Sequence, residues 1–61
     1  MKYTIEVSEE DRQMILLALS DESIDKPGFA WFIGQIADKF PDGRRMLDTF
    51  REIRGFPSVE V

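Results

Sequence analysis

Few residues of this chain could do chemistry, because its 61 residues include neither Cys nor His. This excludes thiolate nucleophiles, zinc–thiolate sites and the commonest general base. The carboxylates of Asp21 and Asp25, alternating with Ser23, are the best remaining candidates for a cation site. A calcium loop of the EF-hand type needs Gly at position six and Glu at position twelve, where this chain has Lys26 and Phe32. The sequence therefore predicts no metal site and no cofactor.

Motifs for catalysis are also missing. The stretch Pro-Asp-Gly-Arg-Arg at residues 41–45 lacks the glycines and the Lys of a phosphate-binding loop. A chain this short offers no deep cleft in which the pKa of a carboxylate would be strongly shifted. We predict that the protein is not an enzyme and has no small-molecule substrate.

Arginines near the C-terminal end form a possible macromolecular contact. Arg44 and Arg51 are seven residues apart and share one face of a predicted helix, with Arg54 near its edge. A helix-turn-helix interpretation would bring them to DNA phosphates, and an acidic protein could use the same side chains. The alternative is a solvated face in which Arg44 pairs with Asp48 at i, i+4. We favour the solvated face, since a net charge of −4 disfavours nucleic-acid binding.

Trp31 and Gly34 break the pattern of the predicted second helix. Trp31 lies about 200° around the axis from Phe29, on the polar side. It is either covered by the first helix or the C-terminal tail, or exposed as an anchor for a partner. Gly inside a helix lowers stability by about 1 kcal/mol relative to Ala. The presence of Gly34 despite this cost predicts that another backbone approaches closely there, either from the same chain or from a second subunit. We take Trp31, Gly34 and the three arginines as candidate partner contacts.

Composition is typical of a globular protein, with 43% hydrophobic and 33% charged residues. The longest apolar run, Met14 to Leu19, is too short to span a membrane. No apolar stretch follows the Lys near the start, so we predict no signal peptide and a cytoplasmic location. Charge is uneven: residues 1–38 carry three basic and eight acidic side chains, and residues 39–54 carry five and three.

The hydrophobic pattern opens with a strand-like segment and a long helix. Tyr3, Ile5 and Val7 alternate with polar residues, the period of a half-buried strand. Ser8 is a helix N-cap candidate before three acidic residues, which predicts a first helix from about Glu9 to Ser20 or one turn further. Residues 14–19 are apolar all round the helix axis, so the helix must be buried by other parts of the structure on two sides. The other helices can cover one side; the strand region or a second subunit must cover the other.

Two further helices follow. After Pro27-Gly28, an amphipathic helix with an aromatic inner face is predicted from the apolar spacing of Phe29, Phe32, Ile33, Ile36, Ala37 and Phe40. The third helix is predicted over about Arg44 to Arg54, ending at Gly55. The tail at residues 58–61 alternates and could pair with residues 4–7. We predict one mainly α domain over residues 1–61, a small three-helix bundle, with a two-stranded β-ribbon of the terminal segments left open.

Residues 14–50 resemble a group of short uncharacterised proteins of phages, prophages and environmental bacteria. The similarity consists of the aliphatic helix at residues 16–19, Lys-Pro-Gly-Phe at residues 26–29, Ile-Ala-Asp-Lys-Phe at residues 36–40, and a last helix with Phe50. In that group an aromatic residue, often Trp, follows the Pro-Gly; here it is Phe29, and Trp31 replaces a polar residue. The group has no assigned activity, so the resemblance transfers no site. It implies a mobile-element setting, in which small acidic helical proteins act as inhibitors or adaptors of host proteins.

These observations predict a non-catalytic accessory protein that binds another protein, in the manner of a phage-type inhibitor or modulator of a host or defence protein. The apolar first helix also predicts a homodimer. Two alternatives stay open: a small DNA-binding regulator that uses the basic third helix, and a structural oligomerisation module.

Overall fold

A computed structural model describes residues 1–59 of the chain. Its helices are α1 (Glu9–Asp25), α2 (Ala30–Ala37) and α3 (Gly43–Ile53), with a short 3-10 helix at Pro27–Phe29 before α2. Residues 1–59 contain no strand. The prediction of a mainly α fold with three helices is therefore confirmed. None of the helices in this part of the chain is long and apolar enough to cross a bilayer.

Helix α1 begins at the predicted cap. The Ser8 hydroxyl accepts a hydrogen bond from the backbone N–H of Asp11 at 3.1 Å, and the Asp11 carboxylate accepts one from the backbone N–H of Ser8 at 3.4 Å. This reciprocal pair is a capping box with Asp in place of Glu. The helix continues to Asp25, a full turn beyond Ser20, because Pro27 is the first residue that disfavours helix in the residue before it.

The core collects one or two residues from each helix and one from the tail. Leu16 of α1, Ala37 of α2 and Leu47 of α3 are fully buried, and Ile33 and Val59 nearly so. Leu19, Ala30, Phe40, Met46 and Phe50 pack around them. This small cluster holds the three helices together and leaves much of the apolar surface outside it.

The predicted inner face of the second helix is confirmed at Ile33, Ala37 and Phe40 and is wrong at its other two aromatic residues. Phe29 and Phe32 are 60% and 56% exposed, and Ala30, which was not predicted, packs on the core beside Ile33 and Ala37. The 3-10 turn over Pro27–Phe29 changes the helical phase just before α2. Phe29 therefore does not continue the stripe that begins at Ala30.

The apolar run of α1 is covered on one side only. Leu16 is buried and Ile15 and Leu19 are half-buried, whereas Met14 and Leu17 are exposed. The second cover predicted for this helix is not supplied by residues 1–59. The terminal ribbon that the sequence left open is absent from the described part of the chain, since residues 4–7 form no strand; Glu60 and Val61 lie outside the described residues.

Candidate protein-binding surface

Arg51, a predicted partner contact, lies in the interior and is only 7% exposed. Its Nη1 donates a hydrogen bond to the Ser23 hydroxyl at 2.5 Å, and its Nε donates one to the Pro57 carbonyl oxygen at 2.9 Å. The side chain thus joins α3 to α1 and to the C-terminal tail. The prediction of Arg51 as an exposed contact is corrected, because the turn of α3 that carries it faces α1.

The other two predicted arginines are each held by a carboxylate. Arg44 Nη2 lies 2.7 Å from Asp38 Oδ2, and its Nε donates to the Gly34 carbonyl oxygen at 3.2 Å. Arg54 Nη1 lies 2.6 Å from Asp21 Oδ1, with both side chains about half exposed. Arg44, Arg51 and Arg54 therefore do not form one open basic face, and part of their charge is neutralised within the chain.

Asp48 does not pair with Arg44 as the solvated-face alternative expected. Its Oδ1 accepts a hydrogen bond from the backbone N–H of Val59 at 3.1 Å. Because the Val59 side chain is also buried in the core, Asp48 fixes the C-terminal tail against α3. The tail is therefore packed against the helical bundle at Val59.

Gly34 is buried by its own chain. A Cβ added there would lie 3.0 Å from Arg44 Nη2 and 3.2 Å from Val59 Cγ1. The close approach predicted from this glycine is therefore internal, and it is made by side chains rather than by another backbone. Gly34 offers no surface to a partner, which corrects its prediction as a partner contact.

Trp31 is 58% exposed, so neither α1 nor the tail covers it fully. Phe29 in the 3-10 turn, and Trp31 and Phe32 in the first turn of α2, are all largely exposed; these three neighbouring residues are here called the aromatic cluster. Phe29 and Phe32 also line an open groove of about 280 Å³ between α1 and α2. The groove wall is completed by Leu19 and Ile33, with Glu22 and Lys26 on the same rim.

Sequence periodicity assigned Phe29 and Phe32 to the core and therefore missed them as surface residues. Two apolar stripes compete on this short helix, and periodicity does not say which one faces α1. The sequence did contain a signal for the buried stripe, because Ala30 and Ala37 are small residues that allow a close helix–helix approach. The rim of the groove was not predicted either; there Lys26 Nζ pairs with Glu22 Oε2 at 3.1 Å across one helical turn.

A second apolar surface is formed by the N-terminal segment, defined as residues 2–7. Tyr3 and Ile5 are 83% and 71% exposed. Residues 3–7 line an open groove of about 810 Å³ together with Ile36 near the C-terminal end of α2 and Phe40 in the turn after it, which contribute apolar surface. The N–H and C=O groups of residues 2–7 make no hydrogen bond to any residue of 1–59. The segment therefore presents both apolar side chains and unpaired backbone groups.

A contact between Glu9 and Arg12 shifts the pKa values of both groups. No three potential metal ligands come together within residues 1–59. Hydrogen bonds from the side chains of Arg12 and Gln13 lower the pKa of Glu9, and the bond to Glu9 raises the pKa of Arg12. Arg12 also donates to the Pro41 carbonyl oxygen at 2.5 Å. This group joins the start of α1 to the turn before α3, which is a structural role.

Comparison with known proteins adds no constraint on the site. No family model, curated protein or solved structure matches this chain. The resemblance to short phage proteins therefore stays a prediction.

Proposed function

We propose that this chain is a non-catalytic protein-binding protein of the cytoplasm, and that its partner docks on the aromatic cluster and the groove beside it. The supporting observation is the balance of apolar side chains. Within residues 1–59, eleven large hydrophobic side chains are exposed, whereas five hydrophobic residues form the buried core. Removing apolar surface from water stabilises a complex by about 25 cal/mol per Å² before the costs of association.

The aromatic cluster suits a binding role by residue type. Trp is enriched among residues that dominate binding energy, and Trp and Phe are both enriched in interfaces. Trp31, Phe29 and Phe32 are all more than half exposed, so a partner can bury them without unfolding the bundle. Trp31 and Phe32 lie in α2 and Phe29 lies in the 3-10 turn just before it, so regular backbone structure carries all three rings.

The groove beside the cluster indicates the kind of partner. Its walls are apolar, whereas Glu22 and Lys26 at the rim carry opposite charges. An amphipathic helix can lay its apolar face into such a groove and place polar residues against the rim. By the resemblance to phage proteins, the partner would be a host or defence protein, and this chain its inhibitor or modulator.

The DNA-binding alternative has less support from the contacts of the arginines. Arg51 is buried, while Arg44 and Arg54 pair with Asp38 and Asp21. A phosphate on Arg44 or Arg54 would have to compete with the carboxylate that each side chain already pairs with. A structural oligomerisation module is supported by the exposed apolar side chains of the N-terminal segment.

Affinity capture with matched variants tests the proposal. The wild type, Trp31→Ser, Phe32→Ser and Met14→Ser serve as baits in a host lysate. Met14 is the control, because it is an apolar residue of α1, 65% exposed and outside the aromatic cluster. We expect a partner that is retained by the wild type and Met14→Ser and lost from both aromatic variants.

The captured partner is then titrated against purified protein. Trp31 is the only Trp of the chain, so a blue shift of its emission on binding would report its burial. Loss of Trp31 should weaken the affinity by about 30-fold, the usual scale of a binding hot spot. A partner that binds Trp31→Ser and Phe32→Ser as tightly as the wild type would refute the proposed surface, provided that circular dichroism shows all variants folded.

A further inference from the structure

We propose that the N-terminal segment pairs with the same segment of a second copy, forming a two-stranded antiparallel ribbon with Thr4 opposite Thr4. The segment has the alternation of a strand, with Tyr3, Ile5 and Val7 on one face, but it has no strand neighbour within residues 1–59. Unpaired N–H and C=O groups on a strand-like segment are a template for pairing with another chain.

Pairing with the tail of the same chain is disfavoured by the position of Val59. The Val59 backbone N–H donates to Asp48 on α3, and the Val59 side chain is buried in the core. Moving this residue to the N-terminal segment would remove a core side chain and a hydrogen bond together. A second copy supplies a strand without that cost.

Charge complementarity sets the register. In an antiparallel ribbon with two-fold symmetry, the residue numbers of any two opposed residues add up to the same value. With Thr4 opposite Thr4, Lys2 of each copy lies opposite Glu6 of the other. If the symmetry axis passed through Tyr3 or Ile5 instead, Lys2 and Glu6 would no longer lie opposite each other. A parallel arrangement would place like charges together, which is unfavourable.

The same register also matches the apolar face. Tyr3 of each copy lies opposite Ile5 of the other, and aromatic residues pair favourably with β-branched residues across strands. Thr4 opposite Thr4 is a further favourable pair. The segment is therefore complementary to itself on both faces, which is the requirement for an interface between identical copies.

A two-stranded ribbon alone is only marginally stable in water and needs a surface to pack on. The groove between the N-terminal segment and the end of α2 provides that surface through Ile36 and Phe40. Tyr3 and Ile5, now largely exposed, would be buried between the ribbon and this helix end. This surface shares no lining residue with the groove beside the aromatic cluster, so dimer formation and partner binding are separate properties.

Charge reversal tests the register, with the dimer dissociation constant measured by sedimentation equilibrium at low salt. Lys2→Glu and Glu6→Lys each place two like-charged pairs across the ribbon by symmetry, so each should weaken the dimer by about tenfold or more. The double variant Lys2→Glu/Glu6→Lys restores both pairs and should dimerise as the wild type does. A mixture of the two single variants should form a heterodimer, because one copy then carries two Glu and the other two Lys.

An engineered disulfide tests the same register by geometry. The natural chain has no Cys, so Thr4→Cys introduces a single thiol. Opposed residues of an antiparallel ribbon have Cα atoms about 4.5–5.5 Å apart, which a disulfide can bridge. Thr4→Cys should therefore form a covalent dimer on mild oxidation. Val7→Cys is the control, since it keeps both charge pairs and its two copies would be about 20 Å apart along the ribbon.

The outcomes separate this inference from the proposed function. A wild type that stays monomeric at about 1 mM would overturn the ribbon, as would a dimer indifferent to both charge reversals. Equal yields of covalent dimer from Thr4→Cys and from Val7→Cys would overturn the register. Trp31→Ser should leave the dimer intact; if it abolished the dimer, the interface would be the aromatic cluster and not the ribbon.

Discussion

Arg51 on α3 donates a hydrogen bond to the hydroxyl of Ser23 on α1 at 2.5 Å, in the interior of the bundle. The Ser23 hydroxyl in turn donates to the Ser20 carbonyl oxygen at 2.7 Å. The guanidinium also holds the tail through the Pro57 carbonyl oxygen. None of these three acceptors is a carboxylate. A single buried cation therefore connects three parts of the chain through neutral oxygens.

Replacing Arg51 should destabilise the bundle strongly. Arg51→Ala removes the donors to Ser23 and Pro57 and leaves a cavity between α1 and α3, so we expect a loss of about 2–4 kcal/mol in the free energy of unfolding. Arg45→Ala is the matched control on the same helix, because Arg45 is 80% exposed and pairs only with exposed Asp42. Its effect should stay within about 0.5 kcal/mol. Urea denaturation of both variants measures the difference; equal effects would contradict the role given to Arg51.

Two buried serines on α1 should respond to Ala with opposite signs. The Ser20 hydroxyl has no hydrogen-bond partner within residues 1–59, so Ser20→Ala removes a desolvated polar group and should stabilise the fold by about 1 kcal/mol. Ser23→Ala removes the acceptor for Arg51 and should destabilise it by about 1–3 kcal/mol. Thermal unfolding of the two variants gives the comparison, and a destabilised Ser20→Ala would show that its hydroxyl is in fact hydrogen-bonded.

The turn between α2 and α3 should not tolerate a side chain at Gly43. A Cβ there would lie 1.8 Å from the Ala37 carbonyl oxygen, a backbone atom that cannot move without disturbing α2. We expect Gly43→Ala to cost about 3 kcal/mol or more. At Gly28 an added Cβ meets nothing within 4 Å, so Gly28→Ala should be close to neutral. A Gly43→Ala variant as stable as Gly28→Ala in urea would contradict the close packing of this turn.

Local signals in the sequence were sufficient to predict where the helices lie along the chain, but not which face of each helix is buried. Ser8 as a cap and Pro27 as a helix boundary act within a few residues, so both were predicted correctly. The exposure of Phe32 and the burial of Arg51 depend on which helix face meets α1. That choice is made by tertiary contacts such as the one between Arg51 and Ser23, which are 28 positions apart. The candidate contacts could therefore be named by residue type, whereas their accessibility could not be predicted.

The ion pair at the start of α1 predicts a specific pH response. Hydrogen bonds from Arg12 and Gln13 lower the pKa of Glu9 in the folded protein. A lowered folded-state pKa means that the contribution of Glu9 to stability is present above its unfolded pKa and is lost as the pH falls through the folded value. Protonation on the acid side therefore weakens the contact between Glu9 and Arg12.

Arg12→Ala should raise the pKa of Glu9 toward its ordinary value, because it removes the largest cause of the shift. The measurement is an NMR titration of the Glu9 side-chain carboxyl carbon in the wild type and the variant. Arg45→Ala is again the control, since Arg45 pairs with Asp42 rather than Glu9 and should leave this titration unchanged. An identical Glu9 titration in the wild type and Arg12→Ala would mean that the guanidinium does not hold the carboxylate in solution. The connection from α1 through Arg12 to the Pro41 carbonyl oxygen would then lose its anchor on Glu9.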